Sequence, residues 1–298
     1  VKWGIEHDVD YIAQSFVKNA ENVKQLRKLL DENGGKEIKI IAKIEEYPAV
    51  QNIDEIIASA DGIMIARGDL GVQMPIEQVP SVQKHIIEKC NEAMKPVITA
   101  TQMLESMTNS PIPTRAEVTD VANAILDGSD AVMLSGETSI GKYPVKTVQM
   151  MARIIQHTEQ SLLEYGQFDR HHCKVEDERN TTLSIAKAAS KIATELNAAA
   201  IITYTETGRT ARRIIHTRPK IPIVAVTPDE KTARKLCLCW GIIPVYAKTR
   251  APLEEVLYKV ADIVTQTGIV KKGDTVVIVT GIPLGQPGST NLIKVQML

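Results

Sequence analysis

Four apolar runs in the first half of this 298-residue chain each end in polar side chains two residues apart: IIAKIEE, GIMIARGDLG, VITATQMLES and AVMLSGET. Side chains alternate across a strand, so Lys43 and Glu45 are expected to share one face, as are Arg67 and Asp69, Thr99 and Thr101, and Ser135 and Glu137. An ammonium group, carboxylates and hydroxyls gathered in this way could bind a ligand and act on it. Runs this apolar, separated by helix-like stretches, are expected to be parallel strands buried on both faces, at whose ends polar groups converge.

The elements that must position these residues follow from periodicity. Strands are predicted to start near Tyr11, Ile38, Gly62, Pro96 and Asp130, each followed by a helical pattern. The helices are AENVKQLRKLLDENG with Gly34 and Gly35 as its stop, AVQNIDEIIASA, IEQVPSVQKHIIEKCNEAM, TRAEVTDVANAILDG with Gly128 as its stop, and PVKTVQMMARIIQHTEQSLLEY. In TRAE, Thr114 followed three residues later by Glu117 is a capping box, and Arg115 is not read as catalytic. Such alternation means an α/β architecture with a parallel sheet, either open or closed into a barrel. The polar, aperiodic run Gly166–Asn180 marks a linker, and the boundaries are set at 1–160, 161–180 and 181–298. Beyond it, helices and strands alternate again and end in DTVVIVTG and NLIKVQM, an independent α/β domain.

Composition narrows the partners. The chain is 44% hydrophobic with a net charge of −1, so nothing draws it globally to nucleic acid or anionic lipid, and no apolar stretch approaches a membrane span. A small metabolite is the better expectation. Cys90, Cys173, Cys237 and Cys239 lack paired CxxC spacing and are read as reduced thiols in a cytoplasmic protein, with Cys237 and Cys239 on a helix after Thr232. His171 and His172 are read as a solvated pair. The chain starts at Val1, in what reads as the end of a helix, and is expected to be a fragment.

AKIE, ARGDLG, ATQMLESM, TRAE and MLSGET, in this order and at these separations, closely resemble pyruvate kinase. The resemblance covers essentially the whole chain. It implies the last five β/α units of a TIM-type barrel, then an α/β C-terminal domain that binds allosteric effectors. In the family a lid domain is inserted in an eight-stranded barrel; the first three strands, the lid, the K+ ligands and a phosphoryl-holding arginine have no counterpart here. The implied activity is phosphoryl transfer from phosphoenolpyruvate to ADP, giving pyruvate and ATP, with Mg2+ or Mn2+ and K+, in a homotetramer.

The resemblance makes Glu45 and Asp69 the metal ligands, which suits a cation that takes one or two protein carboxylates; the plainer alternative is a pair of solvated loop acids. Lys43 becomes the point charge beside the phosphoryl group and the enolate, against the alternative of a strand-end lysine paired with Glu45. Gly68 and Asp69 lie in the turn that holds the substrate carboxylate, while Arg67 is read as an ion pair bracing that loop. Thr101, Ser135 and Glu137 are expected to order water for protonation of the enolate, although Ser135-Gly136-Glu137 could equally be a helix-capping turn. Ser15 and Phe16 match a further strand end near the substrate, with Phe16 open to a packing role only.

In the C-terminal domain TETGRT follows a strand and opens a helix, and Thr205, Thr207, Gly208, Arg209 and Thr210 are expected to cradle an effector phosphate. Glu206 places a negative charge in the loop, and YAKTRAPLEEVL is short for the family's additional tryptophan-bearing loop. A sugar monophosphate or a nucleotide is therefore expected in preference to fructose bisphosphate. Three other readings use the same residues: a metal-dependent lyase acting on pyruvate's enolate, a non-catalytic phosphometabolite sensor, and a truncated chain that completes its barrel with another chain.

Overall fold

In the computed structural model the chain forms two compact units, Val1–Gln167 and Phe168–Leu298. The structure describes residues 1–165, 181–248, 253–282 and 290–298. The expected linker from Gly166, with His171, His172 and Cys173, lies outside the described residues, as do residues 249–252 of the YAKTRAPLEEVL segment.

The first unit runs α1 (Lys2–Glu6), β1 (Tyr11–Gln14), α2 (Ala20–Glu32), β2 (Lys39–Ile44), α3 (Tyr47–Gln51), α4 (Ile53–Ser59), β3 (Gly62–Ala66), α5 (Arg67–Gln73), α6 (Val79–Glu92), β4 (Val97–Ala100), α7 (Arg115–Leu126), β5 (Ala131–Met133), α8 (Gly136–Ser139) and α9 (Pro144–Tyr165). Its five strands pair in sequence order and all in parallel. Parallel strands taken in strict order are consecutive staves of a β/α barrel, whereas a doubly wound sheet reverses its order.

Strand alternation sorts the core. Ile40, Ala42 and Ile44 of β2, Ile63 and Ile65 of β3 and Val97 of β4 pack against Val23 and Leu30 of α2, Ile53, Ile56 and Ile57 of α4, and Ile86, Ile87 and Cys90 of α6. Each buried Ile or Leu contributes roughly 1.5–3 kcal/mol, so this layer holds the sheet to its helices. The intervening residues Ile41, Lys43, Met64 and Ile98 point to the opposite face. Burial pushes the Cys90 thiol far above its usual range, with Asp130 acting in the same direction, which keeps it unreactive.

The helices begin and end where local chemistry dictates. Asn19 caps α2 by accepting the Asn22 amide at 3.2 Å, and beyond α2 Gly34 adopts φ +86°. The single helix expected over AVQNIDEIIASA is two, α3 and α4, broken at Asn52, whose side chain donates to the Lys18 carbonyl at 3.0 Å. At the amino edge of the sheet Asp61 takes Arg27 at 2.9 Å, Lys39 at 3.1 Å and the Ile40 amide at 2.9 Å, while Lys95 donates to the carbonyls of Ile57, Ala58 and Ala60 at the end of α4. That edge is braced by charge on backbone and leaves the opposite, carboxyl edge for chemistry.

The capping box of α7 is present in full: Thr114 accepts the Glu117 amide and Glu117 accepts the Thr114 amide. Glu117 also takes the Ser106 amide at 2.7 Å and its hydroxyl at 2.5 Å. Burial by itself would raise the Glu117 carboxyl, but these hydrogen bonds from Ser106 and Thr114 outweigh it and hold the group below the usual carboxylate range. A depressed folded value means the stabilisation is present above the unfolded value and is lost as pH falls through the folded one. Glu117→Gln is therefore expected to cost about 1 kcal/mol near neutrality, with the difference closing below about pH 4. Urea unfolding across pH measures it, and a constant difference at all pH values would refute the charge-assisted cap.

The second unit comprises α10 (Thr181–Glu195), β6 (Ala200–Tyr204), α11 (Arg209–Ile215), β7 (Ile223–Thr227), α12 (Glu230–Leu236), β8 (Ile242–Tyr246), α13 (Leu253–Gln266), β9 (Thr275–Gly281) and β10 (Thr290–Met297). The strand order is β10-β9-β6-β7-β8, with only β10 antiparallel. Alternate strand residues face two cores: Ile201, Ile223, Val277 and Val279 meet Ala186, Ala189 and Ile214, while Ile202, Val224, Val226 and Ile278 meet Val260 and Val264 of α13. This sheet is doubly wound, and β6, with β7 and β9 on its two sides, lies at the switch point where such sheets bind ligands. No helix among the described residues is long and apolar enough to cross a membrane.

Candidate active site

Because all strands of the first unit run the same way, their carboxyl ends share one edge, and the polar residues named from sequence follow them there. Apart from Asp69 and Thr99, they fall into two hydrogen-bonded groups. In the first, the Lys43 ammonium lies 2.5 Å from Glu45 Oε1 and donates to Ser15 Oγ at 3.0 Å. The other oxygen of Glu45 accepts the Phe16 amide at 2.7 Å. Glu45 is only 2% exposed, so the carboxylate is held by a cation and a backbone donor that together offset its desolvation. Lys43 and Glu45 do meet, although β2 ends at Ile44 and Glu45 is the residue that follows it.

The second group links the ends of β3, β4 and β5. The Gly68 amide donates to Thr101 Oγ1 at 2.8 Å, and that hydroxyl donates to the Ala100 carbonyl at 2.6 Å. Arg67 reaches across to the Thr101 carbonyl at 2.8 Å and pairs with Asp120 of α7 at 2.7 Å. Glu137, fully buried, accepts the Leu104 amide at 3.1 Å and the Ser135 amide at 2.7 Å. The Ser135 hydroxyl is not engaged by any of these bonds.

Three of the four expected shared faces do not form, because the strands stop short of the polar residues. β3 ends at Ala66, so Arg67 and Asp69 lie in the first turn of α5, about 200° apart around the helix; Arg67 turns inward and Asp69 is exposed without a side-chain partner among the described residues. β4 ends at Ala100, and Thr101 and Gln102 take φ of +68° and +53°. Thr99 instead is fully buried against Ser129 Oγ at 2.8 Å. Two successive left-handed residues, one of them β-branched, cost about 1–3 kcal/mol each and persist only where their surroundings hold them. β5 ends at Met133, which places Ser135 as the residue before α8 and Glu137 within its first turn.

Two roles differ from those expected. Phe16 has φ +57° and a side chain 66% exposed, so it does not pack; what it contributes is its amide. The Gly68 amide is committed to Thr101 and is not free for a ligand. Sequence reasoning also missed Gln83 and Asp120 as partners of Arg67; nothing local to either marks them, since they come from separate helices. A cleft of about 580 Å³ lies between α6 and α7, with Arg67, Gln83, Arg115 and Asp120 among its lining. Among the described residues no cluster of three or more His, Cys, Asp or Glu could hold a metal.

A family model described as pyruvate kinase, barrel domain, matches residues 1–148, and one described as pyruvate kinase, alpha/beta domain, matches residues 183–296. The chain belongs to the pyruvate kinase family. It is 47% identical over 296 residues to a pyruvate kinase of Clostridium acetobutylicum, covering 99% of this chain and 62% of that protein. To the pyruvate kinase of Geobacillus stearothermophilus it is 48% identical over 298 residues, covering 100% of this chain and 50% of that one. The chain thus spans about half to three-fifths of the length of these relatives.

Within the pyruvate kinase alpha/beta domain, the TETGRT loop follows β6 and opens α11. Thr205 is buried and its amide donates to the Val226 carbonyl at 3.0 Å. Thr210 Oγ1 meets Thr290 Oγ1 at 2.9 Å, and Arg212 donates to the Thr207 carbonyl at 3.0 Å. Gly208 has φ +72°, a conformation that favours glycine, and a Cβ there would lie 2.8 Å from Leu236 Cδ2, so that side chain would have to shift. Glu206, Thr207 and Arg209 are exposed, so the loop presents charges of both signs to solvent.

Proposed function

We propose that this chain supplies the phosphoryl-transfer site of a pyruvate kinase, carrying the phosphoryl group of phosphoenolpyruvate to ADP and leaving pyruvate and ATP. The observation that carries this reading is the Lys43 ammonium fixed between the Ser15 hydroxyl and the buried Glu45 carboxylate at the carboxyl edge of the sheet. Membership of the family supports it.

Phosphoryl transfer asks for positioning and for charge at the equatorial oxygens. Lys43 is a compact cation located from two sides, so it can stabilise the phosphoryl group in flight and the enolate oxygen left behind without reorganising. The family implies a divalent cation, Mg2+ or Mn2+, and the donor set fits it: Asp69 is unengaged, and each Glu45 oxygen keeps a lone pair beyond its present bond. Glu45 and Asp69 would hold the ion, which when bound polarises phosphoryl oxygens as a Lewis acid.

With the Gly68 amide occupied, the substrate carboxylate falls to the Asp69 amide, which has no intrahelical partner at the start of a helix. Ser15 and Phe16 close the strand end beside Lys43. Pyruvate forms when the enolate gains a proton at carbon. The Thr101 and Ser135 hydroxyls order the water that delivers it, and Glu137 acts by fixing the Ser135 and Leu104 amides. In the C-terminal domain Thr205, Thr207, Gly208, Arg209 and Thr210 take the phosphate of an effector, and the exposed Glu206 favours a monophosphate over a bisphosphate.

A lactate-dehydrogenase-coupled assay with phosphoenolpyruvate, ADP, magnesium and potassium tests the reading, run with and without a sugar monophosphate or bisphosphate. Pyruvate formation that depends on ADP and is raised more by the monophosphate is expected. A folded chain that forms no ATP would refute the catalytic assignment, and stronger activation by the bisphosphate would refute the effector assignment.

A further inference from the structure

We propose that Arg67 is a positioning residue of the phosphoryl-transfer site: its guanidinium holds the left-handed Thr101–Gln102 turn and so aims the Thr101 hydroxyl. The inference rests on the function proposed above. Arg67 is 10% exposed and spreads its donors over two sides. One terminal nitrogen donates to Asp120 at 2.7 Å and lies 3.4 Å from Gln83 Oε1. The other donates to the carbonyls of Thr101 at 2.8 Å and Gln102 at 3.3 Å, and reaches Met103 Sδ at 2.8 Å.

The carbonyls it holds belong to the two consecutive residues with positive φ. If either residue relaxed to an extended or right-handed conformation, its carbonyl would swing off the guanidinium, so the contact and the strained backbone require each other. The same turn sets the direction of Thr101 Oγ1, which is pinned between the Ala100 carbonyl and the Gly68 amide. Gly68 is the next residue after Arg67, so one residue determines both partners of that bond, one through its backbone and the other through its side chain. The far end of the turn is tied to Glu137 through the Leu104 amide, leaving Arg67 as the fastening on the near side. A lysine carries the charge but not a fork that spans Asp120 and the carbonyls together.

The test uses the whole chain with Arg67→Lys, Arg67→Ala and Asp120→Asn. The Arg67 guanidinium is occupied by protein groups and not aimed at substrate, so Arg67→Lys is expected to lower kcat about 10- to 100-fold with KM for phosphoenolpyruvate and ADP little changed. Low, non-denaturing guanidinium is expected to restore part of the turnover of Arg67→Ala and none of Arg67→Lys. Independently of activity, exchange of the Gly68 amide is expected to quicken about tenfold in Arg67→Lys and less in Asp120→Asn, which leaves every strand end intact. Unchanged Gly68 exchange in both variants overturns the inference, as does unchanged kcat in a folded Arg67→Lys protein. If the unaltered chain forms no ATP, the proposed function fails, and the exchange measurement still decides whether Arg67 holds the turn.

Discussion

Lys43→Met is expected to lower kcat for ATP formation by about a thousandfold at saturating substrate, the scale seen when a single preorganised donor to a developing anion is removed. Methionine keeps the length and apolar stem of the side chain, so what is lost is the charge. The ammonium has little freedom to be replaced by water, because it sits on Glu45 Oε1 at 2.5 Å and on Ser15 Oγ at 3.0 Å. The substitution has a second consequence that must be separated from the first. It leaves Glu45, at 2% exposure, with only the Phe16 amide, and an uncompensated buried carboxylate destabilises a fold by up to about 3–5 kcal/mol. Lys43 is 24% exposed, which places the cost toward or below the lower end. Lys43→Arg separates the two effects: a cation remains against Glu45, so stability returns, while a bulkier, delocalised charge in a different position does not restore turnover. Turnover of the methionine variant within tenfold of the unaltered chain would remove Lys43 from the chemistry.

The second large effect is on stability. Glu137→Leu is expected to destabilise the first unit by about 2–5 kcal/mol, since it orphans the amides of Leu104 and Ser135, each worth about 1–3 kcal/mol when buried without an acceptor. Leucine of similar volume fills the space, so the loss comes from polar satisfaction and not from a cavity. Glu137→Gln keeps one carbonyl acceptor and is expected to fall between. Because the chain has two compact units, the measurement is hydrogen exchange of β2–β4 amides as a function of urea, which reports on the first unit alone. A leucine variant within about 1 kcal/mol of the unaltered protein would mean that Glu137 is not the anchor of the two turns.

Strands beginning at Tyr11, Gly62 and Lys39, and the long helix Pro144–Tyr165, were legible because their signals are local. They consist of apolar runs of strand length, a 3.6-residue period and caps such as Thr114 with Glu117. The motifs that mark the family are legible for the same reason, being short and contiguous. The point at which each strand ends was not legible. Arg67, Thr101 and Ser135 follow apolar residues that could have continued a strand, and the three side-chain pairings drawn from them assumed that they did.

The sequence by itself determined the α/β architecture and the identity of the residues that follow each apolar run, because hydrophobic periodicity and capping act over a few residues; the order of the parallel strands was implied only by the family resemblance. Tertiary structure alone decided which of those residues meet. The Phe16 amide on Glu45, the Gly68 amide on Thr101 and the Arg67 fork between Asp120 and the Thr101 carbonyl join groups separated by 29, 33, 53 and 34 positions. Two of these contacts use backbone donors that no side-chain pattern encodes. The third depends on a strained turn whose cost is offset only once β3, β4 and α7 are packed together.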